Sequence, residues 1–198
     1  MPEFSSRDPN TPAFWDERFE RGFTPWDRAG VPQALRDFVA REGRALTTLI
    51  PGCGAAYELA FLSEQGWDAT AIDFSPAAVA TAKAGLGQWA GRVLEADFFE
   101  YLPAAPLELI YERAFLCALP RAMWPPVAAR WADLLAPGTR LAGFFFFDDA
   151  PKGPPFGIER AALDALLTPN FACIEDAEVT DSIPVFAGKE RWMVWQRR

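Results

Sequence analysis

The chain has 198 residues, 51% of them hydrophobic and 23% charged, which suits one domain built around one packed core. Nineteen basic against 27 acidic side chains give a formal net charge of −8, which repels a phosphate backbone and anionic headgroups and argues against nucleic acid or a membrane as partner. Histidine is absent, which excludes imidazole acid–base work, Ser-His-Asp and Cys-His catalysis and His-ligated zinc.

Phe14, Trp15, Arg18 and Phe19 fall at helical spacing, Gly22 breaks that helix, and Thr24-Pro25-Trp26 continues as a loop. No basic start followed by an apolar stretch occupies residues 1–10, and no run of 18 apolar residues follows, so a cytoplasmic protein is expected, neither exported nor membrane-spanning. Residues 45–50 read as a short buried strand ended by Pro51-Gly52-Cys53-Gly54, and 55–65 as a helix stopped by Gly66. The unit recurs: 69–73 is a strand, Ser75-Pro76 a helix start, and 77–84 its helix. Two successive β-α units predict a parallel sheet.

Residues 92–95 and 107–111 are the next strands, and 125–135 is a helix closed by Pro137-Gly138. Residues 140–147 form a fifth strand whose four consecutive Phe residues, 144–147, cannot alternate between core and water, so it must be covered on both faces. A helix over 159–167 precedes strands at 171–179 and 191–196. The segment between those two carries no helical pattern, which predicts an antiparallel hairpin and one antiparallel strand in an otherwise parallel sheet. Cys53, Cys117 and Cys173 are odd in number and far apart, which suggests neither a disulfide framework nor a metal site. No metal is expected.

Ligands of an open parallel sheet bind beyond the carboxyl ends of its strands, where Gly52 and Gly54 let the backbone approach closely. A dinucleotide fingerprint requires a third glycine, but that position holds Tyr57, which weighs against a nicotinamide cofactor. Asp73, 19 residues after Gly54, can accept hydrogen bonds from both ribose hydroxyls of an adenosine ligand, or alternatively cap the helix at Ser75. Asp97 and Phe98, after the third strand, suit an adenine amine and ring.

In Phe14-Trp15 to Trp26-Asp27, Leu49 to Gly54, Asp73-Phe74-Ser75, Asp97-Phe98-Phe99, Tyr111-Glu112-Arg113 and Gly153-Pro154-Pro155-Phe156, the chain resembles the thiopurine S-methyltransferase family, which includes thiol, thiocyanate and halide methyltransferases. The resemblance spans nearly the whole chain. It implies an α/β, Rossmann-like class I methyltransferase fold with a seven-stranded sheet over 45–198, preceded by an aromatic lid or helical segment over 1–44. It also implies S-adenosyl-L-methionine as cofactor and S-adenosyl-L-homocysteine as product. Trp15, Phe19 and Trp26 would border the cofactor, with Gly52, Cys53 and Gly54 at its methionine part. Asp73, Phe74 and Ser75 would lie at the ribose, Asp97 and Phe98 at the adenine, and Arg113 at the end of the fourth strand. Phe19 stands where relatives usually carry Trp. Many other methyltransferases place an acid two positions before the first glycine, where this chain has Ile50, so the partner of the cofactor's amino group is left unassigned.

Methyl transfer from a sulfonium is an in-line displacement that alignment and a dry pocket can accelerate without a base. A chain without histidine therefore suits a small-molecule thiol or an anionic nucleophile as acceptor. Phe14, Trp26, Phe115, Phe147 and Asp148 are the candidate acceptor pocket. Asp148 and Asp149, ending the fifth strand, are the candidate catalytic residues, either of which could orient the acceptor or take a thiol proton through water, with loop capping as their alternative. Arg113 would hold the cofactor carboxylate or an anionic acceptor, or else pair with Glu112 or Asp97. A nicotinamide oxidoreductase and a noncatalytic adenosine-ligand sensor are the rival readings, and a monomer or weak homodimer is expected.

Overall fold

A computed structural model describes residues 3–198. Two N-terminal helices, α1 (Pro12–Glu20) and α2 (Gln33–Glu42), precede the two anticipated β-α units: β1 (Thr47–Pro51), α3 (Tyr57–Glu64), β2 (Asp68–Asp73) and α4 (Pro76–Gly85). There follow β3 (Val93–Glu95), β4 (Leu107–Arg113), α5 (Trp124–Leu134), β5 (Leu135–Phe146), α6 (Arg160–Leu167), β6 (Phe171–Glu178) and β7 (Glu190–Arg197). The seven strands form one sheet in the order β3-β2-β1-β4-β5-β7-β6. β7 runs antiparallel to both its neighbours and the other pairings are parallel, as the hairpin pattern predicted.

The Phe run explains how β5 sits. Phe144 packs with Leu35, Phe38 and Trp192 on one face, and Phe145 with Trp131, Leu163 and Trp195 on the other. Burying each such side chain is worth roughly 1.5–3 kcal/mol. α4 starts where Ser75 and Pro76 dictate: the Ser75 hydroxyl accepts from the N–H of Ala78 (3.1 Å), and proline takes the first helical position.

Two elements differ from the sequence reading. α2 was not singled out, because only Leu35 and Phe38 of its ten residues are buried and charged residues surround them. β5 begins directly after α5, so Pro137-Gly138 lies inside it, where its pairing with β4 shifts register between Leu107 and Leu109. A bulged strand tolerates proline.

Candidate active site

The carboxyl ends of β3, β2, β1 and β4 open into one cleft of about 980 Å³, closed on the far side by α1 and the loop through Trp26. Its floor is the turn after β1. Gly52 (φ +58°) and Gly54 (φ +52°) both adopt the left-handed conformation, and a Cβ at Gly52 would lie 2.5 Å from the Phe115 ring. Any other residue there would strain the backbone and displace Phe115.

Asp73 ends β2 beside this turn. Its carboxylate accepts from the N–H of Gly54 (3.1 Å) and of Ser75 (3.0 Å), and it lines the cleft while only 8% exposed. Burial raises its pKa to about 6, against the hydrogen bonds and with the charge of Asp16 adding to the rise. Phe74 also lines the cleft. Ser75, expected with them, does not: it is fully buried, and its hydroxyl donates to Asp16 of α1 (2.6 Å) while capping α4. That is a correction to its place among the cofactor residues, caused by the helix start it serves.

The aromatic segment forms the opposite wall. Trp26 meets Trp15 and Phe19 edge to face, at 5.5 and 6.0 Å between centroids, and the Trp15 indole donates to the Pro9 carbonyl (2.9 Å). Phe19 reaches the glycine turn, 3.6 Å from where a Gly54 Cβ would be. Phe14 is buried behind them under the Arg18 guanidinium. At the β3 end, Phe98 is buried against Phe115 (5.0 Å) and exposed Asp97 accepts from the N–H of Phe99 (2.8 Å); both line the cleft.

At the β4 end Arg113 pairs with neither Glu112 nor Asp97. Its Nη1 bonds Glu190 of β7 (2.6 Å), its plane lies over Phe144, and its buried Nη2 has no partner among the described residues. Glu112 instead folds back to accept from the N–H groups of Phe115 (2.8 Å) and Leu116 (3.0 Å), and burial raises its pKa to about 7. The Cys53 and Cys117 thiols line the cleft, with burial pushing both well above the ordinary thiol range.

Phe147, Asp148 and Asp149, expected at the cleft, are not there. They border a separate depression with Arg160 and Arg191. The Lys189 carbonyl accepts from the N–H of Phe147 (2.6 Å), and the Lys189 ammonium bonds Asp148 (2.9 Å), holding that carboxyl below its usual range. Lys189, just before β7, thus holds the residues after β5 at this separate depression, and Asp148 is a poor base besides. Conversely, Glu58 on the first turn of α3 lines the cleft without a sequence expectation, and so does Asp27, which the sequence marks only as the end of the aromatic motif. An acid one turn after a glycine-rich loop is a signal that could have found Glu58. Among the described residues there is no cluster of three or more metal-ligating side chains, and no helix is long and apolar enough to cross a membrane.

Comparison with known proteins bears on the fold and the family. Probable thiol methyltransferase 2 of Arabidopsis thaliana is 27% identical over 198 residues, spanning 95% of this chain and 86% of its own length. Thiocyanate methyltransferase 1 of the same plant is 26% identical, spanning 92% and 84%. A solved structure of Burkholderia thailandensis 1,6-didemethyltoxoflavin-N1-methyltransferase with bound S-adenosylhomocysteine shares the fold, at a TM-score of 0.76 and 21% identity over 99% of this chain and 93% of the other. The family model for thiopurine S-methyltransferase matches residues 10–198. The chain belongs to the thiopurine S-methyltransferase family, enzymes that take their methyl group from S-adenosylmethionine.

Proposed function

We propose that this enzyme methylates the sulfur of a small thiol. The residues of the cleft fit the cofactor. Asp97 and Phe98 would take the adenine, Asp73 and Phe74 the ribose, Gly52, Cys53 and Gly54 the methionine chain, and Arg113, with its unpartnered Nη2, the carboxylate. Trp15, Phe19 and Trp26 present aromatic faces suited to a sulfonium cation. When bound, S-adenosylmethionine supplies a methyl group on a sulfur that is already a good leaving group.

The observation that carries the choice of acceptor is the wall beyond the glycine turn. Phe115, Leu119, Met123, Pro154 and Phe186 line it, with no histidine in the chain and with Asp148 and Asp149 elsewhere. Such a wall excludes water and packs an apolar, polarisable nucleophile, while offering no neutral-pH base to an amine or alcohol. Phe14, Trp26 and Phe115 would align the acceptor sulfur by shape. Methyl transfer to a panel of aryl and alkyl thiols, thiocyanate, iodide, an amine and a phenol tests this. Thiols should lead in kcat/KM, and a lead by the amine or phenol overturns the proposal.

A further inference from the structure

The amino-acid end of the cofactor carries an ammonium as well as a carboxylate, and the strand position that often answers the ammonium is Ile50, buried in the core at 3% exposure. Five carboxylates line the cleft: Glu3, on the exposed N-terminal segment, and Asp27, Glu58, Asp73 and Asp97. Asp97 stands at the β3 end, and each Asp73 oxygen already accepts a backbone N–H at β2. Asp27 takes the Tyr57 hydroxyl and the Ala29 N–H. Glu58 differs in both place and satisfaction. It is 8% exposed, and among the described residues its one side-chain partner is the Tyr111 hydroxyl of β4, 3.3 Å from Oε1. A buried carboxylate is costly without a cation beside it. Arg113, the guanidinium whose charge acts on Glu58, is committed to Glu190. Burial accordingly raises the Glu58 pKa, against a hydrogen bond from its own backbone N–H and the neighbouring charge of Arg113.

Resting on the cofactor placement proposed above, we infer that Glu58 receives the ammonium of the methionine moiety, opposite Arg113 and its free Nη2, so that the two side chains clamp the zwitterion from α3 and β4. Glu58 is a binding residue that replaces, from the first turn of the helix, the acid missing from the strand. Bringing the ammonium there supplies the cation this carboxylate lacks. The order along the sheet agrees: β3 and β2 serve the nucleoside, and the β1–β4 side serves the amino acid, with Cys53 lying between the Asp73 and Glu58 charges that both act on its thiol.

Calorimetric titration of the whole chain tests this with three probes: S-adenosylhomocysteine, its deaminated analogue, and 5′-methylthioadenosine, which lacks the amino acid. Glu58→Gln should weaken S-adenosylhomocysteine roughly 10- to 100-fold, the range of a lost charge-assisted hydrogen bond. The same substitution should leave the other two within about twofold. Equal weakening of all three, or unchanged S-adenosylhomocysteine affinity, overturns the inference. Should the glutamine variant fail to fold, Glu58→Asp keeps the test open, since it should weaken only S-adenosylhomocysteine. If the native protein binds none of the probes, the cofactor placement itself falls. If it binds 5′-methylthioadenosine, and S-adenosylhomocysteine and its deaminated analogue equally well, only the Glu58 inference falls.

Discussion

Asp16 of α1 takes the Ser75 hydroxyl at 2.6 Å and the Ala77 N–H at 3.0 Å, both on the same carboxylate oxygen. The aromatic wall is thereby fastened to the start of α4, two residues beyond Asp73. The helix start supplies donors that would otherwise be unsatisfied, and the negative charge suits the positive end of the helix. The aromatic wall and the β2 end of the cleft share one polar joint.

Asp16→Ala should therefore lower stability by about 1–2 kcal/mol, the usual scale for a lost helix cap, and should also loosen α1. Hydrogen exchange across 12–20 should speed up, and affinity for S-adenosylhomocysteine should fall several-fold. Loss of stability with α1 exchange and affinity unchanged would show that the joint holds α4 alone.

Asp73→Ala should weaken cofactor binding by about 1.5–3 kcal/mol, roughly 10- to 150-fold, through lost charge-assisted hydrogen bonds. Because burial raises the Asp73 pKa to about 6, the ionised acceptor forms as pH rises through that value. Affinity should climb between pH 5 and 7 in the native protein, and that component should vanish in Asp73→Asn. Titrations at four pH values decide it.

Trp26→Ala should reduce turnover far more than stability. The residue is half-buried and touches Trp15 and Phe19 at the wall, whereas removing a core tryptophan costs roughly 3–5 kcal/mol. A collapse in melting temperature, with the folded fraction fully active, would make this residue core.

The parts of this site legible in the sequence are those fixed by local chemistry. Gly52 and Gly54 were readable because their backbone conformation demands glycine, Asp73 because it ends a strand at a set distance, and Phe144 to Phe146 because an unbroken apolar run needs two covered faces. What the sequence does not show depends on distant partners: Arg113 pairs with Glu190, 77 residues on, rather than with Glu112 or Asp97, and Asp148 is drawn off by Lys189, 41 residues on. No spacing rule reports which side chain a later strand will bring. Ser75 combines both cases: its cap on α4 is local and legible, while its bond to Asp16 of α1, 59 residues away, is not. Glu58 is not legible from periodicity because its facing is set by how α3 packs beside β2, which brings it to Tyr111 of β4.

Stability of the ligand-free protein should fall as pH rises from 5.5 to 8. Glu112 and Asp73 titrate near 7 and 6 in the folded chain but near 4 when unfolded. The folded state then holds more protons across that window, and such a contribution, present at low pH, is lost as pH rises through the folded values. The carboxyls held low, such as Glu108 and Asp176, act only below that range. The loss from Glu112 is about 2 kcal/mol, with less from Asp73. Glu112→Gln should flatten most of the slope in thermal melts, and an unchanged slope would show that Glu112 is ionised throughout.

The pH dependence of methyl transfer should follow the acceptor. Glu112 has a pKa suited to a base, but it is buried at 1% exposure, spends Oε1 on two N–H groups and does not line the cleft. Asp148 is tied to Lys189 outside the cleft, and both cleft cysteines stay protonated through burial. Asp73 and Glu58, the buried carboxylates of the cleft, are assigned to the ribose and the ammonium of the cofactor, so a thiol reacts as the thiolate it brings. Heteroaromatic thiols of low pKa should transfer well at neutral pH with a flat profile. Alkyl thiols, with pKa about 8.5 or above, should accelerate tenfold per pH unit below that value. Thiocyanate and iodide, already anionic, should show little dependence if they react. The measurement is kcat/KM against pH for two thiols whose pKa values differ by about two units, at saturating cofactor so that the Asp73 titration does not enter. Two inflections, each tracking its own thiol, are the expected result. A shared inflection near pH 7 that disappears in Glu112→Gln would instead mean that the buried carboxylate draws the proton out of the cleft.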